Sequence, residues 1–128
     1  MNWALLVDTP ILLWARVAPD RLSERERRIL DEAASRHVSI ASLWEIARLM
    51  ETGRVGRDER LMGVPEGFDL LAVTSEHCAM LATLPALGGD SFDRMLVAQA
   101  RVQRLALLTR DPAIAEYGRH GVTVLVRG

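Results

Sequence analysis

The strongest constraint on the fold is a regular alternation of short apolar segments with segments of helical periodicity. The apolar runs are strand-like, since they are short, apolar on both faces and bounded by polar or turn residues. They occupy residues 3–8, 37–41, 68–74, 105–109 and 122–126. Such alternation is typical of an α/β domain whose helices cover both faces of the sheet. We therefore predict a single domain over residues 1–128 with a central, mostly parallel, five-stranded sheet.

Helical segments fill the intervals between these strands. Pro10 lies near a helix start, Ser23 is a good N-cap, and Gly53 and Gly118 are expected helix terminators. The predicted helices cover residues 9–17, 23–34, 42–51, 75–85, 91–104 and 111–118. Residues 54–68 are richer in glycine and charge, so we expect a loop with a short helix there.

The composition of the chain excludes several enzyme classes. All sixteen basic residues are arginine, and the sequence contains no lysine. Walker A phosphate loops, Schiff-base enzymes and protein kinases need a lysine ammonium, as do response-regulator receivers and haloacid-dehalogenase-type phosphatases. The net charge of −1 argues against a broadly basic nucleic-acid-binding surface but leaves room for a local arginine patch.

The cysteine and histidine residues indicate neither a disulfide-stabilised protein nor a zinc site. The single Cys78 cannot form an intramolecular disulfide, and the three scattered histidines make no zinc-type spacing with it. No apolar run approaches the length of a membrane span, and the N-terminus lacks the pattern of a secretory signal. We expect a cytoplasmic protein with no membrane association.

Acidic residues recur where the predicted strands end. Asp8 ends the first strand and Asp111 follows the fourth, while Glu45 lies in the first turn of the helix after the second strand. Asp93 opens the helix that leads into the fourth strand. In parallel α/β sheets, ligands bind at the carboxyl ends of the strands. These four carboxylates are therefore expected to face one edge of the sheet.

Two of these four acids also have a structural interpretation. Asp111 precedes proline and would serve well as an N-cap, and Glu45 fits a capping box that begins at Ser42. Thr9 is as good a cap for the first helix as Asp8, which leaves Asp8 without an obvious capping role. The capping and ligand roles of Asp111 are compatible because a carboxylate has two oxygens.

Asp93 is the hardest of the acids to explain structurally. Its same-face neighbours on the predicted helix are Leu96, Val97 and Ala100. A carboxylate on an apolar stripe is costly unless something compensates its charge, and a helix N-terminus supplies only about 0.3–1 kcal/mol. Asp90 is the natural N-cap of this helix, so Asp93 is not needed for capping.

Four carboxylates at one edge require compensation. Two of them about 5 Å apart repel by roughly 3 kcal/mol at an effective dielectric of 20, and a cluster of four by on the order of 20 kcal/mol before screening. Either some acids are protonated or a divalent cation lies among them. Oxygen ligands without histidine or cysteine suit Mg²⁺ or Mn²⁺. Metal-assisted phosphodiester hydrolysis is the chemistry that this set favours.

Four motifs also resemble a known family. The segments "LLVDTPILLW", "VSIASLWEIARL", "DSFDRMLVAQA" and "LLTRDPAIAEYG" are similar in order and spacing to those of PIN-domain proteins, particularly the VapC-type ribonuclease toxins of bacterial toxin–antitoxin pairs. The resemblance covers essentially the whole chain. It implies a PIN-like α/β fold and a Mg²⁺- or Mn²⁺-dependent endoribonuclease. It also implies an RNA substrate, a homodimer and a small cognate antitoxin that silences the toxin.

By this resemblance, Asp8, Glu45, Asp93 and Asp111 match the family's metal-binding acids, and Asp90 is auxiliary. The resemblance implies that the first and third of these four are the main ligands, while the other two complete the shell or orient the water. Pro10 stands where many relatives have histidine, and Arg54 where they often have lysine. Both departures affect expected substrate contacts rather than the ligand set.

Other residues carry weaker expectations. Arg94 and Arg101 lie seven apart on one side of a helix and are candidates for phosphate contacts, although a solvated helix face or salt bridges to Asp90 is the favoured explanation for each. Trp3, Trp14 and Trp44 could stack on bases, but Trp3 and Trp44 lie in apolar patterns and are expected in the core. Two alternatives to the toxin stay open: a PIN nuclease with a housekeeping RNA or DNA substrate, and a catalytically silent PIN-like module that binds a partner protein.

Overall fold

The computed structural model describes residues 2–121 and 123–126. The strands among these residues are β1 (Ala4–Val7), β2 (Ser35–Ser39), β3 (Asp69–Leu71), β4 (Ala106–Thr109) and β5 (Val124–Val126). The α-helices are α1 (Thr9–Val17), α2 (Glu24–Glu32), α3 (Ile40–Glu51), α4 (Ser75–Thr83), α5 (Ser91–Gln103) and α6 (Pro112–Ala115). The loop after α3 holds one 3-10 turn, Glu59–Leu61, as the composition of this segment predicts. Residue 122, the predicted start of the fifth strand, lies outside the described residues.

The strands form one parallel sheet in the order β3-β2-β1-β4-β5. Leu6 pairs with His37 of β2 on one side and with Leu107 of β4 on the other. The α/β prediction of a parallel five-stranded sheet is therefore confirmed. The strand order reverses between β1 and β4, and in open α/β sheets a crevice forms at the carboxyl ends of the strands at such a point.

Strand residues alternate between two hydrophobic layers. Leu5 and Val7 pack on one face with apolar side chains of α1, α2 and α3. Leu6 and Leu107 pack on the other face with α5 and α6. Both faces of the sheet are thus covered, which explains why the strands read as continuous apolar runs rather than as alternating patterns.

Helix α3 begins earlier than the sequence predicts. Ser39 is its N-cap, since its hydroxyl accepts a hydrogen bond from Ala41 N at 2.9 Å. The same hydroxyl donates to Gln99 Oε1 of α5 at 2.5 Å, and both side chains are fully buried. The predicted capping box from Ser42 to Glu45 is therefore wrong, because a tertiary contact to α5 selects Ser39 as the cap instead.

A buried polar network extends this contact. Gln99 Nε2 donates to Ala72 O at 3.2 Å, while His77 Nδ1 accepts from Thr74 N at 3.1 Å. The other ring nitrogen, Nε2, lies 2.9 Å from Gln103 Oε1. These bonds tie α5, the helix that carries Asp93, to the start of α4 and to the segment that follows β3.

The tryptophans divide between core and surface. Trp3 is partly buried against the core, as predicted. Trp44 is 67% exposed, so the prediction that it lies in the core is wrong. The core face of α3 is formed by Ile46 with Leu43 and Met50, and Trp44 projects beside that face. No helix among the described residues combines the length and the apolar character that spanning a membrane requires.

Candidate active site

Asp8 is a buried carboxylate at the end of β1. Its side chain is 1% exposed, its Oδ1 accepts from Ile11 N at 2.9 Å, and its Oδ2 accepts from Thr109 Oγ1 at 2.5 Å. Burial raises the pKa of Asp8 from 3.8 to about 7; the hydrogen bonds from Thr109 and Ile11 oppose this rise, and the charges of Asp93 and Asp111 add to it. Asp8 therefore does cap α1, contrary to the expectation that it has no obvious capping role, but at a large electrostatic cost.

Thr109 links two of the acids. Its hydroxyl donates to Asp8 and accepts from Asp111 N at 3.0 Å. Asp111 Oδ1 accepts from Ala113 N at 2.9 Å, which confirms the predicted N-cap role. One carboxylate oxygen thus makes this cap bond, so capping does not exclude Asp111 from a second role. Thr109 was not identified from the sequence, although its place at the end of a predicted strand, two residues before Asp111, was a usable signal.

Asp90 and Asp93 form a reciprocal cap at the start of α5. Asp93 N donates to Asp90 Oδ1 at 2.9 Å, and Asp90 N donates to Asp93 Oδ2 at 3.2 Å. Burial raises the pKa of Asp93 to about 6, and the charges of Asp90, Glu45 and Asp111 add to that rise. Gly89, with φ of +79°, permits this arrangement, because a Cβ there would lie 3.1 Å from Asp93 Cβ.

Glu45 lies in the second turn of α3 and faces the other acids. Its Oε1 is buried without a hydrogen-bond partner in the part of the chain that the structure describes. Burial raises the pKa of Glu45, the Thr9 hydroxyl opposes the rise, and the charge of Asp90 adds to it. A buried, unpartnered carboxylate oxygen is costly unless a ligand completes it.

The structure brings all the predicted acids to one edge of the sheet. The charges of Asp93 and Asp111 contribute to the raised pKa of Asp8, and the charges of Asp90, Glu45 and Asp111 contribute to the raised pKa of Asp93. Among the described residues, however, no three acidic, histidine or cysteine side chains converge closely enough to hold a metal ion as they stand.

The donor set still fits a hard divalent cation. Mg²⁺ usually takes only one or two carboxylates in a protein and completes its shell with water and substrate phosphate, so a converged cage is not required. All the donors are oxygens, the pKa values of Asp8 and Asp93 are raised, and Glu45 Oε1 lacks a partner. A positive charge at this edge would favour the ionised carboxylates of Asp8 and Asp93 and would give Glu45 Oε1 a partner.

The predicted phosphate contacts are not supported by the positions of the two arginines. Arg94 donates to Tyr117 Oη at 3.3 Å and to Leu84 O at 3.2 Å, so its guanidinium holds structure together. Arg101 lies with Trp3 and Ala4 in a cavity near the start of β1, at the edge of the sheet opposite the acids. Their helical spacing predicted a shared side but not the direction in which the helix presents it.

A second charged cluster flanks the acids and was not anticipated. Glu26 of α2 is 1% exposed and accepts from Arg110 Nε at 2.7 Å and from a terminal nitrogen of Arg110 at 2.5 Å. Ser23 N also donates to Glu26 at 2.7 Å, and the Arg110 guanidinium lies 4.4 Å from the centre of the Trp14 ring. Arg110 therefore anchors the turn between Thr109 and Asp111 to α2.

Replacing Arg110 with alanine is expected to lower the free energy of unfolding by about 2–3 kcal/mol, because Glu26 would remain buried without its guanidinium. The Arg110 hydrogen bonds hold the pKa of Glu26 below its ordinary range, so the loss is greatest above that range. Urea denaturation at neutral pH measures the change. Arg110→Lys should recover part of it, since lysine keeps the charge but not the planar fork.

The matched control is Arg60→Ala, which removes an arginine from an exposed pair with Asp58. That variant should leave the denaturation midpoint almost unchanged. Equal losses in the Arg110 and Arg60 variants would contradict an anchoring role for Arg110.

Comparison with known proteins gives one family match and several structural matches. The sequence matches the PIN domain family over residues 5–120. The fold is similar to the Rickettsia felis VapBC2 structure bound to a promoter DNA fragment, with a TM-score of 0.75, 14% identity and coverage of 98% of this chain and 99% of that chain.

Two further solved structures are similar. A toxin–antitoxin complex from Klebsiella pneumoniae matches with a TM-score of 0.62 and 17% identity over 84% of this chain and 87% of that chain. FitAcB from Neisseria gonorrhoeae matches with a TM-score of 0.69 and 16% identity over 94% and 96% of the two chains. At these identities the likeness concerns the fold. No curated protein matches the sequence significantly.

Proposed function

This chain belongs to the PIN domain family, and from that premise we propose that it is a Mg²⁺- or Mn²⁺-dependent endoribonuclease, the toxin of a toxin–antitoxin pair. The observation that supports the chemistry best is the acidic edge itself. Asp8 and Asp93 have raised pKa values there, and Glu45 Oε1 is buried without a partner among the described residues. An apo site of this kind is destabilised until a cation and a substrate phosphate complete it.

Asp8 and Asp93 are the proposed main ligands. Asp8 is fixed by Ile11 N and Thr109 Oγ1, which orient its carboxylate without supplying a full positive charge. Asp93 is fixed by the Asp90 backbone N–H. Because their pKa values are about 7 and about 6, both carboxyls must lose any proton before they act as ligands.

Glu45 and Asp111 are proposed to complete the shell or to orient the attacking water. The unpartnered Glu45 Oε1 is an acceptor available for a water hydrogen. A bound Mg²⁺ or Mn²⁺ supplies Lewis-acid chemistry, polarising a phosphoryl oxygen and lowering the pKa of the attacking water. The residues of the chain position the reactants, and Asp90, whose side chain also caps α5, is proposed as an auxiliary acid.

The proposed partners follow from the same premise. The similar folds from Rickettsia felis and Klebsiella pneumoniae come from a VapBC2 structure and a toxin–antitoxin complex. We accordingly propose a cognate small antitoxin, a homodimer and a cytoplasmic site of action on RNA. A small protein with a DNA-binding N-terminal half should be encoded in the adjacent upstream reading frame. Its absence would remove the toxin role while leaving the nuclease proposal standing.

Addition of Mg²⁺ is expected to raise the Tm of the wild-type protein by roughly 5–10 °C at a concentration about a hundred times Kd, because binding to the folded state alone adds about 2.7 kcal/mol. Thermal melts across a Mg²⁺ titration in chelator-treated buffer measure the shift. Asp93→Asn should lose most of it.

Asp69→Asn is the matched control, since Asp69 is an exposed acid at the start of β3. This variant should keep the wild-type shift. A catalytically silent module would show no shift and no cleavage of single-stranded RNA. Cleavage of DNA in preference to RNA would reassign the substrate but not the chemistry.

A further inference from the structure

A polar groove leads away from the acidic edge along the second half of α3. Its volume is about 320 Å³, and it lies between α3 and the start of α5. Glu45 and Asp90 form one end, and the lining continues through Arg48, Thr52 and Arg54 with Phe92 opposite. The groove is thus continuous with the proposed active site.

Both arginines of this groove offer their guanidiniums to a ligand. Arg48 and Arg54 are exposed, and neither side chain makes a hydrogen bond or ion pair within the described residues. Arg94 and Arg110, by comparison, are committed to protein acceptors. A guanidinium presents a planar fork of donors that matches a phosphate.

Trp44 stands beside the same groove. It is 67% exposed, and its ring packs edge-to-face on Phe92 with centroids 5.5 Å apart and an interplanar angle of 87°. Trp44 and Arg48 are four residues apart on α3 and are neighbours on the helix surface. A tryptophan held by one ring contact and otherwise open to solvent is a platform on which a nucleic-acid base can stack.

We propose that this groove binds the substrate as single-stranded RNA, with Arg48 and Arg54 on backbone phosphates and Trp44 under an unstacked base. The proposal rests on the proposed function and adds the strand form and the residues that select it. Aromatic platforms beside a basic track are how proteins hold single strands, whereas paired bases in a duplex are not free to stack.

Charge favours RNA over a second protein as the occupant. A protein interface over this groove would desolvate two guanidiniums and the carboxylates of Glu45 and Asp90, and the centres of protein interfaces are depleted of charge. A phosphate backbone pairs with the guanidiniums directly. It also brings to the acidic edge the phosphate oxygens that a hard cation takes as ligands.

The test measures binding without turnover. Affinity for a short, fluorescently labelled, single-stranded RNA of mixed sequence is followed by anisotropy in the Asp8→Asn background, over a series of salt concentrations. Arg48→Ala and Arg54→Ala should each weaken binding and reduce the slope of log K against log salt by about 0.7, the value for one phosphate contact on a single strand. Trp44→Ala should weaken binding on the order of tenfold, while Trp44→Phe keeps most of the affinity.

Arg28→Ala is the charge-matched control, because Arg28 is an exposed arginine on α2, away from the groove. It should leave the salt slope unchanged. Equal effects of Arg28→Ala and Arg48→Ala overturn the proposal, as does equal affinity for a duplex of the same sequence. A change of oligomeric mass in Trp44→Ala with unaltered RNA affinity also overturns it and assigns the surface to a second copy of the chain.

These outcomes are separable from those of the proposed function. Failure of Mg²⁺ to raise the Tm or to support cleavage refutes the metal-dependent nuclease, whatever the groove binds. If cleavage is normal and substitution of Trp44, Arg48 or Arg54 leaves the affinity for single-stranded RNA unchanged, only the proposal that this groove binds RNA is refuted.

Discussion

Replacing Asp8 with asparagine is expected to reduce Mg²⁺-dependent RNA cleavage by at least about a hundredfold while the fold survives, because even the groups that only support metal ligands typically contribute 10–100-fold. Asparagine has nearly the same shape, and its Oδ1 can still accept from Ile11 N. Its amide can donate to Thr109 Oγ1, which now donates to Asp8. What the variant lacks is the negative charge and the second oxygen ligand.

The measurement is the rate of cleavage of a single-stranded RNA at saturating Mg²⁺, with the circular dichroism spectrum as the test of folding. Asp69→Asn serves as the control, since it removes one exposed carboxylate from the opposite end of the sheet. Full activity in Asp8→Asn would refute the ligand assignment. Loss of activity in both variants would point to a general effect of charge on RNA binding.

Much of the architecture could be predicted because it depends on local patterns. The apolar runs around Leu6 and Leu107 had the length and two-sided character of buried parallel strands. The rule that such strands end at a common edge then placed Asp8 and Asp111 near each other without any structure. Short-range capping signals at Ser23, Asp90 and Asp111 were equally local and are confirmed.

The remaining features depend on contacts between residues far apart in sequence. The start of α3 is selected by the bond from Ser39 to Gln99, sixty residues away, and this moves Glu45 from the first turn to the second. Arg110 and Glu26, eighty-four residues apart, form a buried pair that no local pattern announces. Helical periodicity places Trp44 beside the apolar residues of α3, but it does not show which of these residues point into the core.

The same reasoning explains why the positions of Arg94 and Arg101 could not be predicted. Their spacing of seven places them on one side of α5, and the sequence could not tell that this side faces Tyr117 near one end and the start of β1 near the other. The arginines that do border the acids are Arg48 of α3 and Arg54 of the loop that follows this helix. Placing a basic residue near a site requires the packing angle of its helix, which is a tertiary property.

Stability should depend on pH in a direction set by Asp8. Its pKa is about 7 in the folded chain and 3.8 ordinarily, so the folded state binds this proton more tightly than the unfolded state does. The stabilisation from proton binding is fully present below about pH 4 and is lost as the pH rises towards 7. For a shift of this size it amounts to about 4 kcal/mol. Asp93, with a pKa of about 6, acts in the same direction but less strongly because it is half-exposed.

In metal-free buffer, the wild-type free energy of unfolding is therefore expected to fall by several kcal/mol between pH 4 and pH 8, while Asp8→Asn should show a much smaller fall. Urea denaturation with a chelator at each pH measures both curves. The pH dependence of stability that Glu26 contributes has the opposite sign, since Arg110 lowers the pKa of Glu26. This contribution changes only at pH values below the ordinary pKa of 4.5.

The two curves should cross, so that near pH 8 the asparagine variant is the more stable protein without Mg²⁺. Addition of Mg²⁺ should then stabilise the wild type and leave Asp8→Asn almost unaffected, because a cation replaces the proton as the charge that compensates Asp8. Parallel pH dependences in the two proteins would show that Asp8 is ionised throughout the range. In that case the electrostatic destabilisation at this edge would have to come from Glu45 and Asp93 instead.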